Sequence, residues 1–299
     1  MHSHKRTIGY LGLPGSWSHL AAKDYASTKG TKIPEIRLVG LEVEALFEAF
    51  AQGQLDQVCV PYYSSIAGPT PYYSMMLALE PLWIAQEIVK PVIHSLATLS
   101  KDVTLADLRV LTGHPVALEE VRSWLLKNLP GVPWNLALSG SGAAQEVAKR
   151  GQPSHAAVTP PQAVVEHGLY SLIGDIPPEA DNVTRWWILS SSQHKSVPKI
   201  DVHCSAWCWV EIEAASRDVL CQIQTACLRL VPQASVWVYQ HSPTNPNAFS
   251  LVTCLAQAQL DACVQLVQSY QANLRQIGGM PQGPQTWVSS HTASNGACA

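Results

Sequence analysis

The stretch Asp181-Asn182-Val183-Thr184-Arg185-Trp186-Trp187 sets an amide, a hydroxyl and a guanidinium at the mouth of an apolar run, Trp186 to Leu189. Such a run reads as a buried strand, and polar groups at its start face a cleft. Side chains alternate across a strand, so Thr184 and Arg185 point opposite ways. One of them faces a ligand and the other braces the fold. Short hydroxyls gather in three further places: Ser16 and Ser18 after a turn at Gly12–Gly15, Ser64 and Ser65 after Tyr62 and Tyr63, and Ser139 and Ser141 in a Ser-Gly-Ser-Gly turn. Hydroxyls and helix N-termini converging on one cleft make a seat for a small polar anion.

Other chemistries find no support. The Gly12–Gly15 turn lacks the Lys-Ser/Thr pair of a nucleotide P-loop and the third glycine of a dinucleotide turn. There is no CxxC pair and no Cys/His spacing of a zinc site, so neither metal nor cofactor is expected. Seven of the eight cysteines lie after residue 200, several within apolar-periodic segments, and are expected to be reduced and buried. A net charge of −3 and a pI near 6.4 offer no basic field for nucleic acid. No stretch has the roughly 18 uncharged apolar residues that span a bilayer, and Met1–Arg6 lacks a signal-peptide core. A cytoplasmic protein without nucleic-acid or membrane partners is expected.

The elements that must position these groups follow from periodicity. With 299 residues, 47% hydrophobic and 14% charged, the chain can bury the cores of two domains. Strands are expected at Thr7–Leu11, Gln57–Val60, Pro133–Leu138 and His155–Val158. Helices are expected at His19–Tyr25, Glu42–Phe50, Val116–Leu126, Ala143–Lys149 and Pro160–Glu166, and extended structure broken at Pro91 over Leu82–Leu99. Strand, hydroxyl-bearing turn and helix recur in the α/β alternation of a mostly parallel sheet. Ser190–Pro198 has no periodicity and reads as a linker. Beyond it the pattern is strand (His203–Glu213), helix (Val219–Leu230), strand (Ser235–Gln240), strand (Ala248–Ala256), helix (Leu260–Ile277), strand (Thr286–Ser289), a ferredoxin-like βαββαβ unit.

These motifs resemble the prephenate dehydratase family with a C-terminal ACT regulatory domain, over nearly the whole chain. Ile8 to Ser18 (IGYLGLPGSWS) resembles the family's opening IGYLGPxGSFS, and Val60-Pro61 through Gly68 stands where the family has VPxENSxxG. Gly113 to Leu118 resembles HPQAL, and Asn182 to Trp186 stands for NxTRF. The resemblance implies an α/β catalytic domain of two lobes, like a periplasmic binding protein, over residues 1–192. A linker at 193–201, an ACT-like regulatory or dimerisation domain at 202–290 and a tail at 291–299 complete it. It also implies a homodimer or homotetramer whose substrate is prephenate, a dianion, converted to phenylpyruvate by decarboxylation with dehydration.

By position, the resemblance makes Thr184 and Ser65 catalytic candidates, and the Tyr63 phenol, which could donate a proton, is a third. Ser16, Ser18, Ser64, Ser139, Ser141, Asn182 and Arg185 become the substrate-binding ones. The chain departs from the family at Tyr63-Ser64-Ser65, where Glu-Asn-Ser is the pattern, and at Val116, where the pattern has Gln. Those losses keep two alternatives open: a prephenate decarboxylase that leaves the ring non-aromatic, and a catalytically silent binder of keto or aromatic acids. Arg217 to Leu220 and Gln240 to Pro243 likewise depart from RPGAL and ESRP, the family's phenylalanine pocket, which leaves feedback by phenylalanine open. Glu119 and Glu120 read as partners of a helix dipole, and His114 as structural.

Overall fold

The computed structural model describes residues 6–28, 36–77, 79, 82–178, 182–190, 207–230, 238–241 and 249–280. The expected linker at 193–201 and tail at 291–299 lie outside them. The first lobe is laid down by β1 (Thr7–Leu11), α1 (Trp17–Thr28), β2 (Arg37–Leu41), α2 (Val43–Ala51), β3 (Gln57–Ser64), the short β4 (Gly68–Pro69), α3 (Tyr73–Leu77) and β5 (Leu82–Pro91). β1 lies parallel between β2 and β3, the pairing that α1 and α2 permit as crossovers. α2 forms because Leu46, Phe47 and Phe50 share one face, which it buries against the sheet.

After Pro91 the chain crosses into a second lobe. This comprises β6 (His94–Thr98), β7 (Val110–Gly113), α4 (Pro115–Glu120), α5 (Arg122–Asn128), β8 (Trp134–Leu136), α6 (Gly140–Arg150), β9 (His155–Thr159), α7 (Pro161–Glu166) and β10 (Tyr170–Ile176). Its sheet order is β10-β6-β9-β7-β8. The chain then returns to the first lobe as β11 (Val183–Ser190), between β3 and β5 and antiparallel to both. Both sheets are therefore mixed, where α/β alternation predicts a mostly parallel one. Two crossings between lobes require a strand to come back in the opposite sense, and β6, β10 and β11 all run antiparallel to their neighbours.

The remaining elements are β12 (Trp207–Ala214), α8 (Arg217–Leu230), β13 (Val238–His241), β14 (Phe249–Ala256), α9 (Leu260–Ser269) and β15 (Asn273–Met280), in the order βαββαβ. Their strand order is β13-β14-β12-β15, and β15 continues it into the first lobe by pairing parallel to β5 through Gly278 and Gly279. The last strand thus lies earlier than the 286–289 expected, which falls outside the described residues. Gln271 ends the helical run with a left-handed φ of 57°, a turn that a Gly would have signalled in sequence and a Gln does not. Cys59, Cys208, Cys227, Cys254 and Cys263 are free and buried, as expected, whereas Cys221 is disulfide-bonded. Among the described residues no helix is long and apolar enough to cross a membrane.

The tandem tryptophans show how β11 welds these parts. Trp186 faces α1, with its Nε1 donating to Ser18 Oγ at 3.1 Å. Trp187 points the other way, stacked on Tyr62 at 4.4 Å and edge-on to Trp209 of β12 at 4.8 Å. The two lobes also touch at Gly15, whose φ is +81° and where an added Cβ would stand 3.0 Å from Ala163 Cα of α7. Gly15→Ala combines left-handed strain with a backbone clash and is expected to destabilise by about 1–3 kcal/mol. A denaturation midpoint equal to that of the wild type would contradict this contact.

Candidate active site

A cavity of about 340 Å³ opens between the lobes, lined by residues of both. That is within the range of small-molecule sites. The N-termini of α1 and α6 meet there from opposite sides. Ser16 caps α1, its Oγ accepting the His19 N–H at 3.2 Å and donating to the Leu11 carbonyl at 3.2 Å. Ser139 caps α6 by accepting the Gly142 N–H at 2.9 Å. Ser18 accepts from Trp186, which leaves its own proton for a ligand. Each helix end carries roughly half a positive charge. Together they favour an anion, and among the described residues no Lys or Arg lines the cavity.

Thr184 and Ser64 are paired in register on β11 and β3, so their side chains stand side by side on one face of the sheet. Both line the cavity and both are buried. The pleat carries their sequence neighbours to the opposite face. Tyr63 pairs in register with Arg185, and neither lines the cavity, so the phenol and the guanidinium are removed from the set of cavity-lining candidates. Arg185 Nη1 donates to Glu87 Oε1 at 3.0 Å, and the Tyr62 hydroxyl donates to the same oxygen at 2.5 Å. Arg185 braces the fold.

Three more sequence candidates also leave the cavity. The Ser65 Oγ accepts the Val183 N–H at 2.9 Å, a bond that closes the turn after β3. The Asn182 amide is buried, and its backbone carbonyl accepts the Val92 N–H at 2.8 Å where the chain passes between lobes. Ser141 donates to the Pro14 carbonyl at 2.5 Å and lies 3.0 Å from His167 Nε2. With its one proton given to Pro14, Ser141 must accept from His167, and it ties the second lobe to the first.

The residues that sequence reasoning missed are His94 and Glu120. Glu120 ends α4, is 3% exposed, and places one carboxylate oxygen 2.6 Å from His94 Nε2. Its other oxygen accepts from Ser64 Oγ at 3.4 Å. A carboxylate missing from the 63–65 turn thus reaches the Ser64 hydroxyl from the opposite lobe. The signal was present: Ala117, Val121 and Leu125 form the buried stripe of this segment, and Glu120 adjoins it three residues after Ala117. Glu119, one position earlier, faces out and pairs with Arg122 at 3.2 Å.

Three histidines around the junction have lowered pKa values. Burial is the main cause at His19, assisted by Lys23 and opposed by Glu166. Burial also dominates at His114, which lines the cavity, with Glu120 opposing and His94 assisting. At His167 burial again leads, with Glu166 opposing and Lys149 assisting. His19 Nδ1 accepts the Gly15 N–H at 3.1 Å, which only an unprotonated nitrogen can do. A histidine whose folded pKa is depressed contributes stability that is present above its unfolded value of about 6.5 and is lost as pH falls through the folded one. Melting temperature is therefore expected to drop between about pH 7.5 and 5.5, and to drop less in His19→Gln. An equal drop in both proteins would remove His19 from this account.

The chain is similar to known proteins over the part that builds this site. The family described as prephenate dehydratase matches residues 8–194. The prephenate dehydratase of Amycolatopsis methanolica is 33% identical over 184 residues, covering 61% of this chain and 57% of that one. The chain therefore spans just over half the length of that curated relative. Among solved structures, the prephenate dehydratase of Staphylococcus aureus superposes with a TM-score of 0.67 at 14% identity, covering 92% of this chain and 99% of that one. GqqA, described as a novel type of quorum quenching acylase, superposes with a TM-score of 0.66 at 20% identity, covering 93% and 99%. At such identities the likeness to these structures establishes the fold alone.

Proposed function

Because the chain belongs to the prephenate dehydratase family, we propose that its cleft binds prephenate and acts as a lyase on it, releasing CO₂ and water to give phenylpyruvate. The observation that carries this reading is the placement of Thr184 beside Ser64 on the cavity face of the sheet, opposite the two capped helix ends. The helix N-termini seat the two carboxylates, with Ser16, Ser18 and Ser139 at their mouths. The Thr184 hydroxyl donates a hydrogen bond to the departing ring hydroxyl. Because the ring becomes aromatic as CO₂ leaves, the reaction is internally driven, and orientation with proton donation suffices to accelerate it.

The apolar side chains of Val92 and Val116 at the same cavity limit water around the ring carboxylate, which assists loss of CO₂ whichever way the hydroxyl fares. Non-aromatising decarboxylation is accordingly the second reading. Under the first, residues 1–192 form the catalytic domain and 202–290 an ACT-like one, an assignment supported by the βαββαβ order of the elements from β12 to β15. A cytoplasmic homodimer or homotetramer belongs to the same reading. The test is incubation with prephenate at mildly alkaline pH, where spontaneous aromatisation is slow, with CO₂ and organic products followed together. Phenylpyruvate with CO₂ supports dehydration. A hydroxyl-retaining keto acid with CO₂ replaces it by the second reading, and unchanged prephenate ends both.

A further inference from the structure

We infer that Glu120, held by His94 and reaching Ser64, is the proton donor for the chemistry in this cavity, a role that rests on the prephenate reading above. Four side chains run in line across the lobe junction: Thr184 on β11, Ser64 beside it on β3, Glu120 at the end of α4, and His94 on β6. All four line the cavity, and none is more than 9% exposed. The first two come from one lobe and the last two from the other, so the line exists only when the lobes meet.

Charge compensation explains why the pair is held together. A carboxylate at 3% exposure is costly unless a partner compensates it. His94 is the partner at 2.6 Å, and the His94 Nδ1 has no hydrogen-bond partner among the described residues, so that ring is committed to Glu120. With no Lys or Arg among the described residues lining the cavity, a dianion entering it meets Glu120 and the rim carboxylate Glu42 with only helix ends and two imidazoles to offset them. The Glu120–His94 pair is the buried acid–base pair lining the cavity that can carry the proton the reaction consumes. The other titratable groups facing this point are His114, at the N-cap of α4, and Tyr72 on the cavity wall.

The step balances. The bond from the ring to its carboxylate breaks and CO₂ departs. The electron pair moves through the ring, and the opposite carbon–oxygen bond breaks. The leaving oxygen takes the proton of Glu120, relayed by the Ser64 and Thr184 hydroxyls, and departs as water. Prephenate dianion plus one proton thus gives phenylpyruvate monoanion, CO₂ and water. Glu120 is left as a carboxylate and takes a proton back from water that enters the cavity once the products leave. Glu120 supplies the proton, the Ser64 and Thr184 hydroxyls deliver it, and His94 is a positioning residue that acts through Glu120.

The experiment is steady-state turnover of prephenate across about pH 6.5 to 9.5, with the spontaneous rate subtracted, for the wild type, Glu120→Gln and His94→Gln. Glutamine fills the same volume and still hydrogen-bonds, but surrenders no proton. For Glu120→Gln, kcat is expected to fall by about 10²- to 10³-fold with KM changed by less than about threefold. For His94→Gln, the alkaline limb of the kcat profile is expected to move while a measurable rate persists. Wild-type kcat is expected to decline as pH rises, which can be read even if a variant does not fold. A Glu120→Gln kcat within about fivefold of wild type, or a wild-type kcat flat across the range, overturns the inference while leaving the prephenate reading intact. A wild type that consumes no prephenate overturns both.

Discussion

Thr184→Val is expected to lower prephenate turnover by about 10²- to 10⁴-fold while leaving the fold unchanged. Valine keeps the β-branch and nearly the volume of threonine, so β11 loses only a hydroxyl, and that hydroxyl faces the cavity. Thr184→Ser retains the donor and is expected to retain most of the rate, at the cost of a freer χ1. The measurement is initial-rate formation of phenylpyruvate, with far-ultraviolet circular dichroism as the check on folding. Turnover by Thr184→Val within about threefold of wild type would transfer the donor role to Ser64, which stands beside it in register. Equal loss in the valine and serine variants would indicate a packing role instead.

Arg185, the next residue, is expected to answer in stability instead of catalysis. Its guanidinium and the Tyr62 hydroxyl both donate to Glu87, whose side chain is fully buried. Arg185→Met leaves that carboxylate facing a thioether, and breaking a buried pair from one side costs about 3–5 kcal/mol. Such a loss is a large share of a typical folding free energy of about 5–15 kcal/mol. The double variant Arg185→Met with Glu87→Gln removes the stranded charge, and is expected to recover more than half of the loss. Urea denaturation of the three proteins measures both numbers. An Arg185→Met protein of wild-type stability that fails to bind prephenate would make Arg185 a substrate contact after all, against its orientation here.

These two adjacent residues define the boundary between what could be read from sequence and what could not. That Thr184 and Arg185 diverge was legible, because strand side chains alternate whatever the fold. Which of them faces the cleft was not, since it depends on which sheet face meets the second lobe. The same pleat disposes of Tyr63, one residue before the cavity-lining Ser64. The capping serines were legible too: Ser16 and Ser139 sit at strand-to-helix turns and cap the helices that follow. Ser141 occupied an equally good sequence position, yet its proton goes to Pro14 across the lobes.

Local chemistry in the sequence by itself determined the alternation of elements through the first 190 residues, the turns that aim helix ends at an anion, and the family resemblance those turns carry. Periodicity and capping act over a few residues, so they survive in one dimension. Tertiary structure alone decided the mixed sense of both sheets, the joining of β15 to β5, and the pairing of His94 with Glu120. Those depend on contacts between residues 26 or more apart in sequence, and no local pattern encodes where a returning strand will land. The inward position of Glu120 could be read from the apolar stripe beside it, but its meeting with Ser64 was decided only when the second lobe folded over the first.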